Sequence, residues 1–351
     1  MKKEEKSLLS LIPIRGLIFP IIFGLGITYY IAKRHSGLKG QNIFSLESIN
    51  LGYLLGAFLL VFLRDLFYAL RLRELTDKKC SLVKYIMIIM LWDFASALTP
   101  SVAGGGVVVI FLLTREGIKF GVSLASIMLA TIVDNLVFFS LSPLGFLSIQ
   151  NLKNNDLDEF INISSRFGIS TVFIFGLLIL IAYTLFIFFS LLINPDFAKN
   201  LLVKITSNIK FLKKWKEAAG HHGDNLVLAS KAIKDKKKKF WIKIVLYTVI
   251  ALSLRYSILN STMASVMNLN IKEILTSIGN QVILWVVMLI SPTPGSAGSA
   301  EFFFDSLFFD LLGENSLRVQ VFWRFFTYYI NIIMGSLVLV WYIKKYKIKK
   351  M

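Results

Sequence analysis

The chain has 351 residues, of which 56% are hydrophobic and 17% charged, and its formal net charge is +18. That apolar share is more than one soluble core of this size can bury, and the apolar runs are long and unalternating, so lipid-facing helices are favoured over a barrel. The basic residues cluster between apolar runs and at the C-terminus, as in loops facing anionic lipid, which sets nucleic acid aside as a partner; a lone cysteine, Cys80, excludes an internal disulfide and a cysteine metal site.

In chain order, a charged start precedes the apolar run Leu17–Ala32. The run is long and no A-x-A-like site follows, so it reads as a retained first helix and not as a cleaved signal. Further runs of spanning length are Leu51–Leu70, Phe120–Leu141, Ile169–Leu192, Phe240–Leu259 and Val319–Ile343. Two more, Leu82–Leu98 and Ile271–Ile290, end at segments that pair prolines with small residues. These are TPSVAGGG (Thr99–Gly106) and SPTPGSAGSAE (Ser291–Glu301), followed by the short apolar pieces Val107–Thr114 and Phe302–Leu312. The expected fold is all-α, a single polytopic membrane domain over residues 1–351 with about eight hydrophobic elements and two half-helices.

Loop charge sets the orientation. Residues 71–84 carry Arg71, Arg73, Lys78, Lys79 and Lys84, the long stretch 194–239 ends in KDKKKKF, and the tail reads KKYKIKK. These segments are expected in the cytoplasm, together with both termini, and the acidic Asn151–Arg166 segment outside. Leu51–Leu70 and Phe120–Leu141 then both have cytoplasmic ends, so Leu82–Thr114 must enter from and leave to that face. By the same count Ile271–Leu312 dips in from outside. Two oppositely oriented re-entrant hairpins, broken by Gly and Pro, point to an inverted-repeat transporter with its site at the midplane. Half-helix N-termini after Gly106 and Gly298 would aim partial positive charge at an anionic head group. The bland alternative is a pair of polar loops joining full spans, with small residues for packing.

PTPGSAGSAE at Pro292–Glu301 resembles the PTPGG-x-GG-x-E element of the lysylphosphatidylglycerol-synthetase transmembrane (flippase-like) family. TPSVAGGGVVVIFLLTREGIKFGVSLA is similar to that family's first element, a Pro/Gly turn leading to a short helix, a basic residue and G(I/V). The resemblance implies a bacterial inner-membrane protein that moves phospholipids between leaflets, with no cofactor. In longer members this domain is fused to a soluble aminoacyl-transferase; here the sequence stops at Met351 after its last helix, so lipid aminoacylation is not expected. Two departures stand out. Family members often carry Glu and Arg soon after the first glycines, where this chain has VVV and then Thr114 before Arg115, and Ser296 and Ser299 replace usual glycines.

Ionisable residues inside spans are costly and default to functional candidates. They are Asp93, Asp134, Glu301 and Arg324, with Arg64 and Asp65 as a pair and Tyr68 and Arg71 on the face of Arg64. Arg71 and Arg255 are read as interfacial cations that snorkel. The expected substrate-binding set is Pro100, Gly104, Gly105, Gly106, Pro292, Pro294, Gly295, Gly298, Glu301 and Arg324, with Asp93 and Asp134 balancing charge or coupling. For each charge a second reading stands beside the first: one half of an internal ion pair that fixes packing. In the 194–239 stretch, Phe211, Leu212 and Trp215 among lysines suggest an interfacial helix, and Gly220 and Gly223 around His221 and His222 a turn.

The function expected is a lipid transporter, not an enzyme, whose partners are membrane phospholipids; self-association and pairing with a lipid-modifying enzyme both stay open. The rival is a membrane-embedded glycosyl or aminoacyl-lipid transferase, for which Asp156, Asp158 and Glu159 are the metal-holding candidates. A third reading is a non-transporting partner of a lipid enzyme.

Overall fold

A computed structural model describes residues 49–99, 103–152, 168–208 and 216–348, with Gly26, Tyr29 and Lys33 as isolated helical positions. Every regular element among them is helical, and six runs are long and apolar enough to cross a membrane. The chain is a polytopic α-helical membrane protein. Most of the first apolar run, Pro100, Ser101, the acidic residues Asp156, Asp158 and Glu159, and Phe211 to Trp215 lie outside the described residues.

Helices α1 (Leu51–Leu75) and α8 (Lys238–Ala264) form the centre. They run antiparallel: Asn50 N–H meets Ser265 O at one end, the Ser261 hydroxyl donates to Tyr53 O at 2.7 Å, and Lys243 Nζ reaches Glu74 at 3.1 Å near the other. The short helices α2 (Leu82–Leu98) and α3 (Ala103–Arg115) follow α1. Thirteen residues make a helix of about 20 Å, short of a hydrocarbon core of about 30 Å. Lys84 near the start of α2 pairs with Glu116 just after α3, and the Tyr342 hydroxyl donates to the same carboxylate at 3.2 Å, so the two open ends lie side by side.

Helix α4 (Phe120–Leu152) contains Pro143. A proline inside a helix leaves the carbonyl four residues back without its donor. Here that carbonyl, Phe139 O, accepts from the Ser142 hydroxyl at 2.8 Å, so the span stays continuous through the proline. Helix α5 (Ile169–Phe188) ends in a π turn, Phe189–Ile193.

The basic 194–239 stretch differs from expectation. It contains two helices, α6 (Pro195–Asn208) and α7 (Lys216–Lys234), and the latter runs straight through Gly220, His221, His222 and Gly223. Tertiary packing overrides the glycines. Ala198, Leu226, Ala229 and Ile233 bury against Leu129, Ile187 and Leu191, and Gly121 of α4 lies hard against the Asn225–Leu226 backbone.

The second half also contains a pair of helices joined through a Pro/Gly segment. Helix α9 (Ile271–Ile290) leads through residues 291–298 to α10 (Ser299–Leu312), and Asn280 Nδ2 donates to Leu307 O at 2.6 Å across that V. Helix α11 (Ser316–Arg324) passes through a π turn, Phe325–Tyr329, into α12 (Ile330–Ile348). Packing is exchanged between halves. Gly335 of α12 seats Phe94 of α2, while Gly279 of α9 sits on Leu144 and Ser148 of α4.

The three glycines of the first broken segment lie within the first turn of α3, one turn earlier than the sequence suggested. A Cβ on Gly105 would collide with Ser96 Oγ and Trp92, whereas one on Gly106 would meet only Ile127 Cγ2 at 3.7 Å. Gly105→Ala is therefore expected to destabilise the protein by about 1–3 kcal/mol through overpacking. Gly106→Ala should be neutral or slightly stabilising because helix propensity improves. Thermal unfolding in detergent checks the contrast.

Candidate functional site

Two polar centres lie inside the bundle. The first grows from one face of α1, where Arg64, Tyr68 and Arg71 follow at i, i+4 and i+7. Arg64 donates to Asp65 Oδ1 through Nε at 2.9 Å and Nη2 at 2.7 Å, and to Asp93 Oδ2 of α2 at 2.5 Å. Arg71 grips Asp134 of α4 with both terminal nitrogens, one of them at 3.0 Å, and also donates to Thr248 Oγ1 of α8 at 3.0 Å. The Tyr68 ring lies 4.9 Å from the Arg71 guanidinium carbon. One helix is thereby tied to three others.

Exposure within these pairs is unequal. The Arg64 and Arg71 side chains are 7% and 3% exposed, while Asp93 and Asp134 keep 26% and 28%. Each aspartate thus keeps an open side that its arginine lacks. Arg71 is therefore no snorkelling cation. Its position near the end of α1 suggested an interface, and only the packing of α4 against α1 reveals its partner.

The second centre closes the SPTPGSAGSAE segment. Arg324 Nε donates to Glu301 Oε1 at 2.6 Å, with both side chains buried. The other carboxylate oxygen accepts from Gly298 N–H at 2.6 Å, which caps α10. The Arg324 terminal nitrogens reach Gly295 O at 3.4 Å, and its guanidinium lies 4.9 Å from the Tyr328 ring. Gly295 and Gly298 take φ of +58° and +85°, the left-handed region that glycine enters freely. A Cβ on Gly295 would strike Tyr328 and lie 2.9 Å from Ala97 O, so the second broken segment abuts the end of α2.

Ser296 also has positive φ, at +53°, where a glycine would be unstrained. Its hydroxyl donates to Met288 O at 2.9 Å, a carbonyl at the end of α9 that also accepts from Ser291 N–H at 3.3 Å. Ser299, the other departure from glycine, shares a 2.9 Å hydrogen bond with Ser291. Both serines thus stitch the broken backbone. Of the expected binding residues, Gly295, Gly298, Glu301 and Arg324 come together, Pro294 is half-buried beside them, and Pro292 is exposed. Gly104, Gly105 and Gly106 lie in α3, where Gly105 packs closely on Trp92 and Ser96, and Pro100 lies outside the described residues.

Arg255 was likewise expected to snorkel. The register of α8 against α1 sets it beside the middle turns of α1, half-buried, with its guanidinium carbon 6.0 Å from the Trp285 ring of α9. Trp285 in turn packs on Phe138 of α4 at 4.3 Å. Nothing in the local sequence marks Trp285, since the helical pairing that brings it to Arg255 is long-range.

Buried ion pairs, short broken helices and lipid-length spans together define a polytopic membrane protein with a polar interior. Residues 17–335 match the model of the lysylphosphatidylglycerol synthase TM region, and the chain belongs to that family. It is also 28% identical over 288 residues to a UPF0104 membrane protein of Archaeoglobus fulgidus, spanning 81% of this chain and 84% of that one. No solved structure matches.

Asp134→Asn leaves Arg71 buried without its counter-charge. Stability is expected to fall by about 3–5 kcal/mol, and an Arg71→Met, Asp134→Leu double variant to recover most of it. Melting of the three proteins in one detergent checks this.

Proposed function

We propose that the protein is a flippase-like transporter that moves a phospholipid or related anionic lipid between leaflets, and that the α2–α3 and α9–α10 pairs are re-entrant hairpins entering from opposite faces. The observation that carries this reading is the half-open state of Asp93 and Asp134 in mid-span, beside arginines that are almost closed off. A merely structural ion pair gains nothing from a wet flank, whereas a head-group path needs one. The contact of Lys84 with Glu116 supports a hairpin whose ends share one face, and the abutting breaks at Ala97 and Gly295 support tips that meet at depth.

Glu301 and Arg324 neutralise each other, so in this reading they hold the second tip in shape and bound the path. Asp93 and Asp134 line it. The protein sits in a cell membrane with both termini in the cytoplasm, its partners are phospholipids, and it needs no enzyme activity of its own.

Asp93→Asn tests the path cleanly, because Arg64 keeps Asp65 as its partner. In vesicles carrying a labelled phospholipid, transfer by this variant should fall toward the protein-free rate while its melting temperature holds. Wild-type transfer rates in the variant would remove Asp93 from the mechanism.

Orientation is open to a test on the natural chain. Cys80 lies in the loop between α1 and α2, half-buried, and burial raises its thiol pKa while Lys84 works against the rise. A membrane-impermeant thiol reagent should leave Cys80 unlabelled on intact cells and label it after permeabilisation. Because the thiolate is the reacting form, labelling should be slow at neutral pH and quicken as pH climbs through the raised pKa. Labelling of intact cells would reverse the topology.

A further inference from the structure

Arg64 holds two carboxylates where its charge needs one. Its Nη2 nitrogen donates to Asp65 Oδ1 at 2.7 Å and to Asp93 Oδ2 at 2.5 Å, so those two oxygens are no more than about 5 Å apart. The charges that act on Asp65 are those of Arg64 and Asp93. Arg71 is matched by Asp134, and Arg255 acts on Tyr68 and Tyr256.

Asp65 is the deeper of the two acids, its side chain 6% exposed against 26% for Asp93. Oδ1 is taken by Arg64, while Oδ2 accepts no hydrogen bond from the described residues. Asp65 lines a cavity of about 10 Å³ between α1, α2 and α12, room for a single water. The other polar side chain on that cavity is Asn331, and the rest of the lining is apolar, from Val61 and Phe62 to Met90 and Met334. Asn331 Nδ2 donates to Thr327 O at 2.9 Å, which fixes the amide, because turned over its oxygen would face another acceptor. The amide oxygen is left without a donor from the described residues.

What the cavity lacks is a hydrogen-bond donor. A buried carboxylate with one oxygen unpartnered is costly, and a like charge on the same guanidinium nitrogen adds to the cost. Protonated at Oδ2, Asp65 becomes an O–H donor toward Asn331 or a cavity water, and Arg64 is left in a one-to-one pair with Asp93. Ionised, Asp65 competes with Asp93 for Arg64. A metal cation such as calcium or magnesium would want about six oxygens, which this apolar lining does not supply.

We propose that Asp65 is a proton-binding site that exchanges one proton with water through this cavity, and that its charge sets how tightly Arg64 holds Asp93 of α2. Among the described groups that face it, Arg64 of α1 stays charged, Asn331 of α12 is neutral, and Asp93 of α2 is the other that titrates. The proton site is independent of transport, and only its link to lipid transfer rests on that reading.

Infrared difference spectra of the full chain in detergent, taken between about pH 4 and pH 9, report the C=O stretch of protonated carboxyl groups. Wild type should show a titrating band that is missing from Asp65→Asn. In Asp93→Asn, where Arg64 has Asp65 alone, the band should appear only at a pH lower by about one unit or more. In vesicles, a pH gradient should change the transfer of labelled phospholipid by wild type and leave Asp65→Asn indifferent to it. Asp65→Asn keeps the side chain's shape and offers an N–H donor, so its melting temperature should hold; if it does not fold, the shift in Asp93→Asn decides. No titrating band, or one unchanged in Asp65→Asn, would make Asp65 a fixed ion-pair partner beside a trapped water and overturn the site. A band at the wild-type pH in Asp93→Asn would overturn the link through Arg64. A band with transfer that ignores the gradient would overturn the coupling and keep the proton site, whereas a band without any transfer would count against the transport reading alone.

Discussion

Backbone breaks and charges at bilayer depth must find partners inside the protein, and Arg324 with Glu301 supplies them for the segment on which the second half depends. Glu301 caps α10 through Gly298 N–H and receives Arg324 through its other oxygen, while Arg324 also leans on the Gly295 carbonyl. Each group satisfies a need created by the other. Without the arginine the cap would hold a buried, unpaired carboxylate; without the cap the break would expose the N-terminal donors of α10. The left-handed turn at Gly295 and Ser296 then costs little, and Gly295 lies against Ala97 of the first half.

The two halves solve the same problem by different means. Aligned on their shared T-P-x-x-A-G, the segments put Val107 where the second half has Glu301, and Val107 is 67% exposed. The first half therefore has no carboxylate to cap its short helix. Its charges sit elsewhere, on α1, where Arg64 and Arg71 reach sideways to α2 and α4. The α9–α10 junction is held by an ion pair of its own, while α3 packs through Gly105 against Trp92 and Ser96.

Much of this was legible in the sequence because it follows from hydropathy and charge. The spans from Leu51 onward are helices, and helix ends fall at both Pro/Gly segments, with the first segment's glycines already inside α3. Arg64 and Asp65 do pair. What stayed hidden depends on which helices touch. Arg71 looks interfacial by its distance from the end of α1, yet Asp134 meets it across a sequence separation of 63 residues. Arg255 looks peripheral until the register of α8 on α1 is known. In the basic 194–239 stretch, Gly220 and Gly223 suggested a turn, and burial of Leu226 and Ala229 under α4 and α5 holds a helix there instead. Local propensity lost to packing in each of these places.

The central claim is that the second break is held by mutual neutralisation of Glu301 and Arg324. A double-mutant cycle measures it directly, with Glu301→Gln, Arg324→Gln and the double variant melted in the same detergent. Each single change strands a buried charge and should cost about 3–5 kcal/mol, and the double should be more stable than either single variant. Additive losses, with no coupling between the two positions, would contradict the account.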